Sequence, residues 1–97
     1  MSDDTNDQQF WQLIDKFIQY ANEQGQASGA PPHVAGAALM FAAARFNAYV
    51  LARSAASAEQ FSNNKLGAQD YFRKQFEKMM VENMADYETN FDKYEQR

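Results

Sequence analysis

Hydrophobic residues recur every three or four positions along three stretches of the chain, the spacing that gathers side chains on one face of an α-helix. In the first stretch Phe10, Leu13, Ile14, Phe17 and Ala21 share a face, flanked by Trp11 and Ile18. Gln12, Asp15, Lys16, Gln19 and Glu23 fall opposite. The spacing predicts a helix over about 7–24, with residues 1–6 a frayed tail. Thr5 and Gln8 have the form of a capping box, Asp7 adds negative charge where the helix dipole favours it, and Gly25 is a natural stop.

The second stretch has a different pattern. From Val34 to Ala52 every residue is apolar or glycine except Arg45 and Asn47. At 100° per residue, Leu39, Phe46 and Val50 form one ridge, while Val34 and Phe41 lie nearly opposite, alongside Ala48 and Ala52. Ala44, Ala48, Ala52 and Ala56 repeat every four residues, a row of small side chains that admits another backbone. A helix over about 32–56 is expected, with Pro32 in its first turn. Apolar on opposed faces, it is predicted to be the buried, Ala-rich central helix, covered partly by a second chain.

In the third stretch Phe72, Phe76, Met79, Met80, Met84, Tyr87, Phe91 and Tyr94 hold one face, predicting a helix over about 65–94. Asp70 precedes Lys74 by one turn, a favourable surface pair. Glu82, Asp86, Glu88, Asp92 and Glu95 collect towards its end, where negative charge opposes the dipole, so the last turns are expected to fray unless a partner holds them. Residues 26–32, with Ser28, Gly29, Pro31 and Pro32, and residues 57–64, with Ser57, Ser62, Asn63 and Asn64, read as breaks. Ala58-Glu59-Gln60-Phe61, capped by Ser57, has the makings of an extra helical turn. These elements describe an all-α, bundle-like single domain, residues 1–97, of three helices packed in a homo-oligomer, with a dimer favoured.

Composition narrows the function classes. The chain has 97 residues, 45% of them apolar, enough to build a core. A net charge of −4 without basic runs argues against gripping nucleic acid or an anionic membrane. With no cysteine, disulfide, thiol and cysteine–zinc chemistry are excluded. An acidic, polar start does not resemble a secretory signal, so a cytoplasmic location is expected. Val34–Ala52 has nearly the length of a membrane span, but eight of its residues are alanine and Arg45 stands near its middle, which argues for a soluble helix.

Three segments stand together: residues 17–24 (Phe17 to Gln24), 43–50 (Ala43 to Val50) and 71–84 (Tyr71 to Met84). They resemble a family of short, uncharacterised bacterial helical proteins classed as a domain of unknown function, over about Phe10 to Phe91. The resemblance implies a bacterial, cytoplasmic, helical protein. It implies no activity, cofactor or catalytic residue.

Each chemically suggestive residue also has a structural reading. Arg45 and Asn47 interrupt the apolar helix, either as a guanidinium for an anionic ligand or, the favoured reading, as an internal ion pair with Glu82 and a register-fixing amide. His33 is the only histidine, with neither a second metal ligand pattern nor a nucleophile at useful spacing, and reads as a solvated helix-start residue. Met79, Met80 and Met84 beside Phe76 read as core rather than as a pliable groove. Acid pairs such as Glu82/Asp86 and Glu88/Asp92 lie on the polar side of a helix, away from the desolvated setting that catalysis needs. The glycines around Gly25 and Gly29 lack the flanks of a phosphate loop.

No metal and no cofactor is expected, and no enzyme. Trp11, Phe41, Ala44, Ala48, Ala52 and Val81 are the candidate interface residues. The expected function is protein–protein interaction as a homo-oligomer, with an unidentified partner docking on the acidic end of the third helix or around Trp11. The alternative is a small apolar or anionic ligand held between helices near Arg45.

Overall fold

Helix ends in this chain are set by a glycine, a serine and an asparagine. A computed structural model describes the backbone of residues 2–94 and the side chains of residues 6–94. Helices α1 (Ser2–Ser28), α2 (Pro32–Ser54), α3 (Ala58–Thr89) and α4 (Phe91–Tyr94) follow one another, with no strand among the described residues. The all-α class is as the periodicity predicted.

The stop for α1 is Gly29, not Gly25. Gly29 adopts φ 72°, the left-handed conformation that terminates helices at little cost only for glycine. Ser28 secures the turn: its Oγ donates to the Gly25 carbonyl at 3.0 Å and accepts from the Ala30 N–H at 3.3 Å. Gly25 stays inside the helix despite its poor propensity, about 1 kcal/mol below alanine. A Cβ there would lie 3.3 Å from the Ala35 Cβ, so the missing side chain lets the start of α2 come close. At the other end the backbone is helical from Ser2, which corrects the expected tail over 1–6, since nothing in that segment is glycine or proline. Met1 and the Thr5 side chain of the proposed capping box lie outside the described residues.

Pro32 opens α2 as expected, its missing N–H falling where no intrahelical partner exists. The helix ends at Ser54, two residues short of expectation, and the Ala55 N–H bonds to the Ala52 carbonyl at 3.3 Å in a tightened last turn. Arg53 in that turn suits the negative end of the dipole.

The expected break over 57–64 is shorter than that, because α3 begins at Ala58. Ser57 is extended (φ −159°, ψ 164°) and its hydroxyl accepts from the Gln60 N–H at 3.1 Å. Gln60 reaches back, its Oε1 accepting from the Ala56 N–H at 2.5 Å. This reciprocal cap carries the helix through Ser62, Asn63 and Asn64, whose individual preferences for turns are worth only tenths of a kcal/mol. Ser57→Ala is expected to destabilise the protein by about 1 kcal/mol, read as a lower urea midpoint. An unchanged midpoint would mean that the helix start is held by packing instead.

The third helix is not continuous to Tyr94, since Asn90 interrupts it with φ −112°. Its side-chain amide donates to both the Asp86 carbonyl (3.1 Å) and the Asp86 carboxylate (3.0 Å). The chain then turns into α4, where the Tyr94 hydroxyl donates to Asp86 Oδ2 at 2.9 Å and its ring meets Tyr87 at 4.3 Å. One aspartate thus ties the last turn to α3. Glu95 and Arg97 of the acidic end lie outside the described residues.

The chain divides into two units, Met1–Leu51 and Ala52–Arg97. In the first, α1 and most of α2 are shielded only in part: Ile14, Ala21, Gly25, Ala35 and Leu51 are half-buried, while the other large apolar side chains are exposed. In the second, α3 carries its long stripe with only the four-residue α4 against it. No described residue is fully buried. Within its own unit α2 has one other long helix, α1, which can cover only one side of a helix whose apolar residues point to all sides. By length and composition α2 could also cross a membrane, with a mean hydropathy of 1.5 over its most apolar 18 residues.

Candidate functional surface

The polar candidates sit in solvent. Arg45 is exposed on α2. It belongs to the first unit, and its expected partner Glu82, also exposed, belongs to the second. Asn47 is half-buried and donates its side-chain amide to the Ala43 carbonyl one turn back at 2.8 Å. The Asn83 amide does the same on α3, donating to the Met79 carbonyl at 2.8 Å. His33 is exposed at the start of α2.

Nothing among the described residues gathers three metal-ligating side chains. Glu82, Asp86, Glu88 and Asp92 are all exposed. The depression at the α3–α4 junction, lined by Glu88, Thr89, Asn90, Phe91, Asp92 and Lys93, is open and shallow. Asp70 is the carboxylate with a displaced pKa, held below the usual range first by the Arg73 guanidinium at 2.6 Å and then by Lys74 at 3.1 Å. The Lys74 pair was legible from its four-residue spacing, and Arg73 three residues on occupies the same face. Both partners are well exposed, so the cluster is a surface feature of small energetic weight.

The apolar candidates form the larger surface. Trp11 is 61% exposed, Phe41 72% and Val81 64%, and Ala44, Ala48 and Ala52 are exposed along α2. On α1 the Trp11 ring meets Phe10 edge-on at 5.3 Å. Leu39, Phe46 and Val50 remain exposed on the bulky ridge of α2, and Phe72, Phe76, Met79, Met80 and Met84 on the stripe of α3. Two residues were missed in the sequence. Phe61, half-buried, joins the arc of Phe72 and Phe76 once α3 starts at Ala58, a start that Ser57 and Gln60 signal as a capping pair. Leu66, 73% exposed, falls on that arc's edge at the same angular position as Met84, inside the predicted helix but before the first residue of its assigned stripe, Phe72.

Comparison with known proteins agrees with an uncharacterised helical family. Residues 10–88 match the family described as "Protein of unknown function (DUF3144)". A solved structure, the NMR structure of the protein NB7890A from Shewanella sp, is 32% identical, with a TM-score of 0.72 over 90% of this chain and 91% of that one. No curated protein matches.

Proposed function

Since the chain belongs to the DUF3144 family, whose description assigns no activity, we propose a function from its surface: a small, non-enzymatic protein that works by protein–protein contact as a homo-oligomer. One observation carries the reading. Large apolar side chains on all three long helices are exposed, among them Phe17, Phe41, Phe46, Phe76 and Met80, and no described residue is buried. Large apolar side chains exposed together along a helix face mark a surface for association. Catalysis has little to work with, because His33, Glu77, Glu82, Asp86 and Glu88 are all exposed, away from the enclosed setting that acid–base chemistry needs. The edge around Trp11 and the acidic end of α3 are the surfaces left for a further protein partner.

Light scattering after size exclusion tests the reading. The mass of the full chain is expected at a multiple of 11.1 kDa through the micromolar range. A folded species of 11.1 kDa at every concentration would reject self-assembly.

A further inference from the structure

We infer that the turn formed by α4 is a two-position strap: Asp86 holds it folded back on Tyr87, and its release at Asn90 straightens α3 into one helix as far as Tyr94. The strap decides whether the apolar stripe of α3 ends at Tyr87 or runs on for about two more turns. It lies wholly within the second unit and does not depend on the self-association proposed above.

The closed position is the one described. Both oxygens of the Asp86 carboxylate accept hydrogen bonds, Oδ1 from the Asn90 amide at 3.0 Å and Oδ2 from the Tyr94 hydroxyl at 2.9 Å. Bonds to an ionised acceptor are stronger than neutral ones. The Tyr94 ring lies 4.3 Å from that of Tyr87, tilted by 39°. Asn90 and Tyr94 are half-buried, whereas Phe91 between them is 60% exposed. A continuous helix cannot make these contacts, because along its axis Asp86 and Tyr94 would stand about 12 Å apart and Tyr87 and Tyr94 about 10 Å. Both exist because the chain bends.

The bend is confined to one residue. Asn90 has φ −112° and ψ 27°, and moving it to about −63° and −42° restores the helix. Its N–H already bonds the Asp86 carbonyl at 3.0 Å, and its own carbonyl accepts from the Tyr94 N–H at 3.1 Å, both in the four-residue pattern of an α-helix. Helical bonds thus flank the hinge on both sides, and opening rotates two dihedrals without dismantling either helix. Asparagine suits the position, since its side chain competes with helical backbone bonding and favours helix ends.

The open position follows from the spacing. At 100° per residue, Phe76, Tyr87 and Tyr94 would fall within about 20° of one another on a straight helix, with Phe91 about 40° further round. Straightening therefore carries the stripe onward through Phe91 and Tyr94. Charge leaves the two positions nearly balanced. A helix that ends at Thr89 has Asp86 and Glu88 in its last turn, and one that ends at Tyr94 has Asp92 there; each opposes the dipole. In the closed form Asp86 offsets this opposition through its two donors, so Asp86 is the side chain that selects the bend.

Nuclear magnetic resonance of the full chain tests the strap in the wild type, Asp86→Ala and Tyr94→Phe, with mixed isotope labelling to remove contacts between copies. The wild type is expected to show an Overhauser contact between the Tyr87 and Tyr94 rings and a non-helical Cα shift at Asn90. Asp86→Ala is expected to lose the ring contact and to gain helical Cα shifts from Thr89 through Tyr94. Tyr94→Phe, which removes only the hydroxyl, is expected to weaken the contact and move the Asn90 shift part of the way. A wild-type chain that is already straight, or unordered over 90–94, overturns the strap. An Asp86→Ala protein that keeps the ring contact overturns Asp86 as the catch. One that loses order over 90–94 without gaining helix overturns the second position, and an unchanged contact in Tyr94→Phe overturns the part given to the hydroxyl.

Discussion

Phe46→Asp is expected to abolish assembly and to remove most of the helical signal at 222 nm under conditions in which the wild-type chain is folded. Phe46 lies between Leu39 and Val50 on the bulky ridge of α2, and its ring meets Tyr49 at 6.1 Å. In the single chain it is exposed, and an aspartate at a solvated helix position would cost only tenths of a kcal/mol in propensity. In the proposed homo-oligomer, with this ridge covered, the same change removes a buried aromatic, worth roughly 3–5 kcal/mol, and sets an unpaired carboxylate in an apolar contact at several kcal/mol more. A symmetric pair suffers the loss twice, which exceeds the stability of most small domains. The two settings differ by more than an order of magnitude in expected effect, so chromatography and circular dichroism on this one variant separate them. A Phe46→Asp protein that elutes and melts like wild type would place the ridge in solvent.

The second large effect concerns α3 and has an internal control. Phe76→Ala is expected to lower stability by about 3–5 kcal/mol per chain, measured by urea unfolding, because Phe76 stands in the middle of the stripe with Phe72, Met79 and Met80. Val81→Ala, on the opposite side of the same helix, is expected to stay within about 0.5 kcal/mol of wild type. Both side chains are exposed in the single chain, Phe76 at 47% and Val81 at 64%. A lone chain would therefore show two small effects of similar size. A large loss at Phe76 with none at Val81 identifies the stripe as the covered face. Large losses at both would show that α3, like α2, is enclosed on two sides, and would return Val81 to the interface where its apolar character first suggested it.

Much of the helical architecture was legible because its causes are local. The three-and-four spacing of Phe10, Leu13 and Phe17, the apolar run from Val34 to Ala52 and the stripe from Phe72 to Tyr87 determine which segments are helical and which face each would bury. The pairing of Asp70 with Lys74 and the placement of Pro32 in the first turn of α2 follow from the same short-range geometry. Candidate chemistry was legible in the same way: solvated carboxylates, one histidine and no cysteine give a site little to begin from.

The ends of the helices needed coordinates. Gly25 and Gly29 have equal claims as a stop in the sequence, and the choice between them turns on Gly29 reaching φ 72° while Gly25 lies against Ala35. Ser57 and Gln60 each had alternatives until their reciprocal hydrogen bonds showed that α3 starts seven residues earlier than its periodicity implied. Asp86 binds Asn90 and Tyr94 together across a break that hydrophobic spacing does not register.

By itself, then, the sequence determined the helices and the apolar face of each, because spacing is sufficient for both. Only the tertiary structure decided where the caps fall, and that Asn47 spends a side-chain hydrogen bond on the Ala43 carbonyl of its own helix. Periodicity says which face seeks cover, but cover is a property of what packs against that face, and that is written in three dimensions.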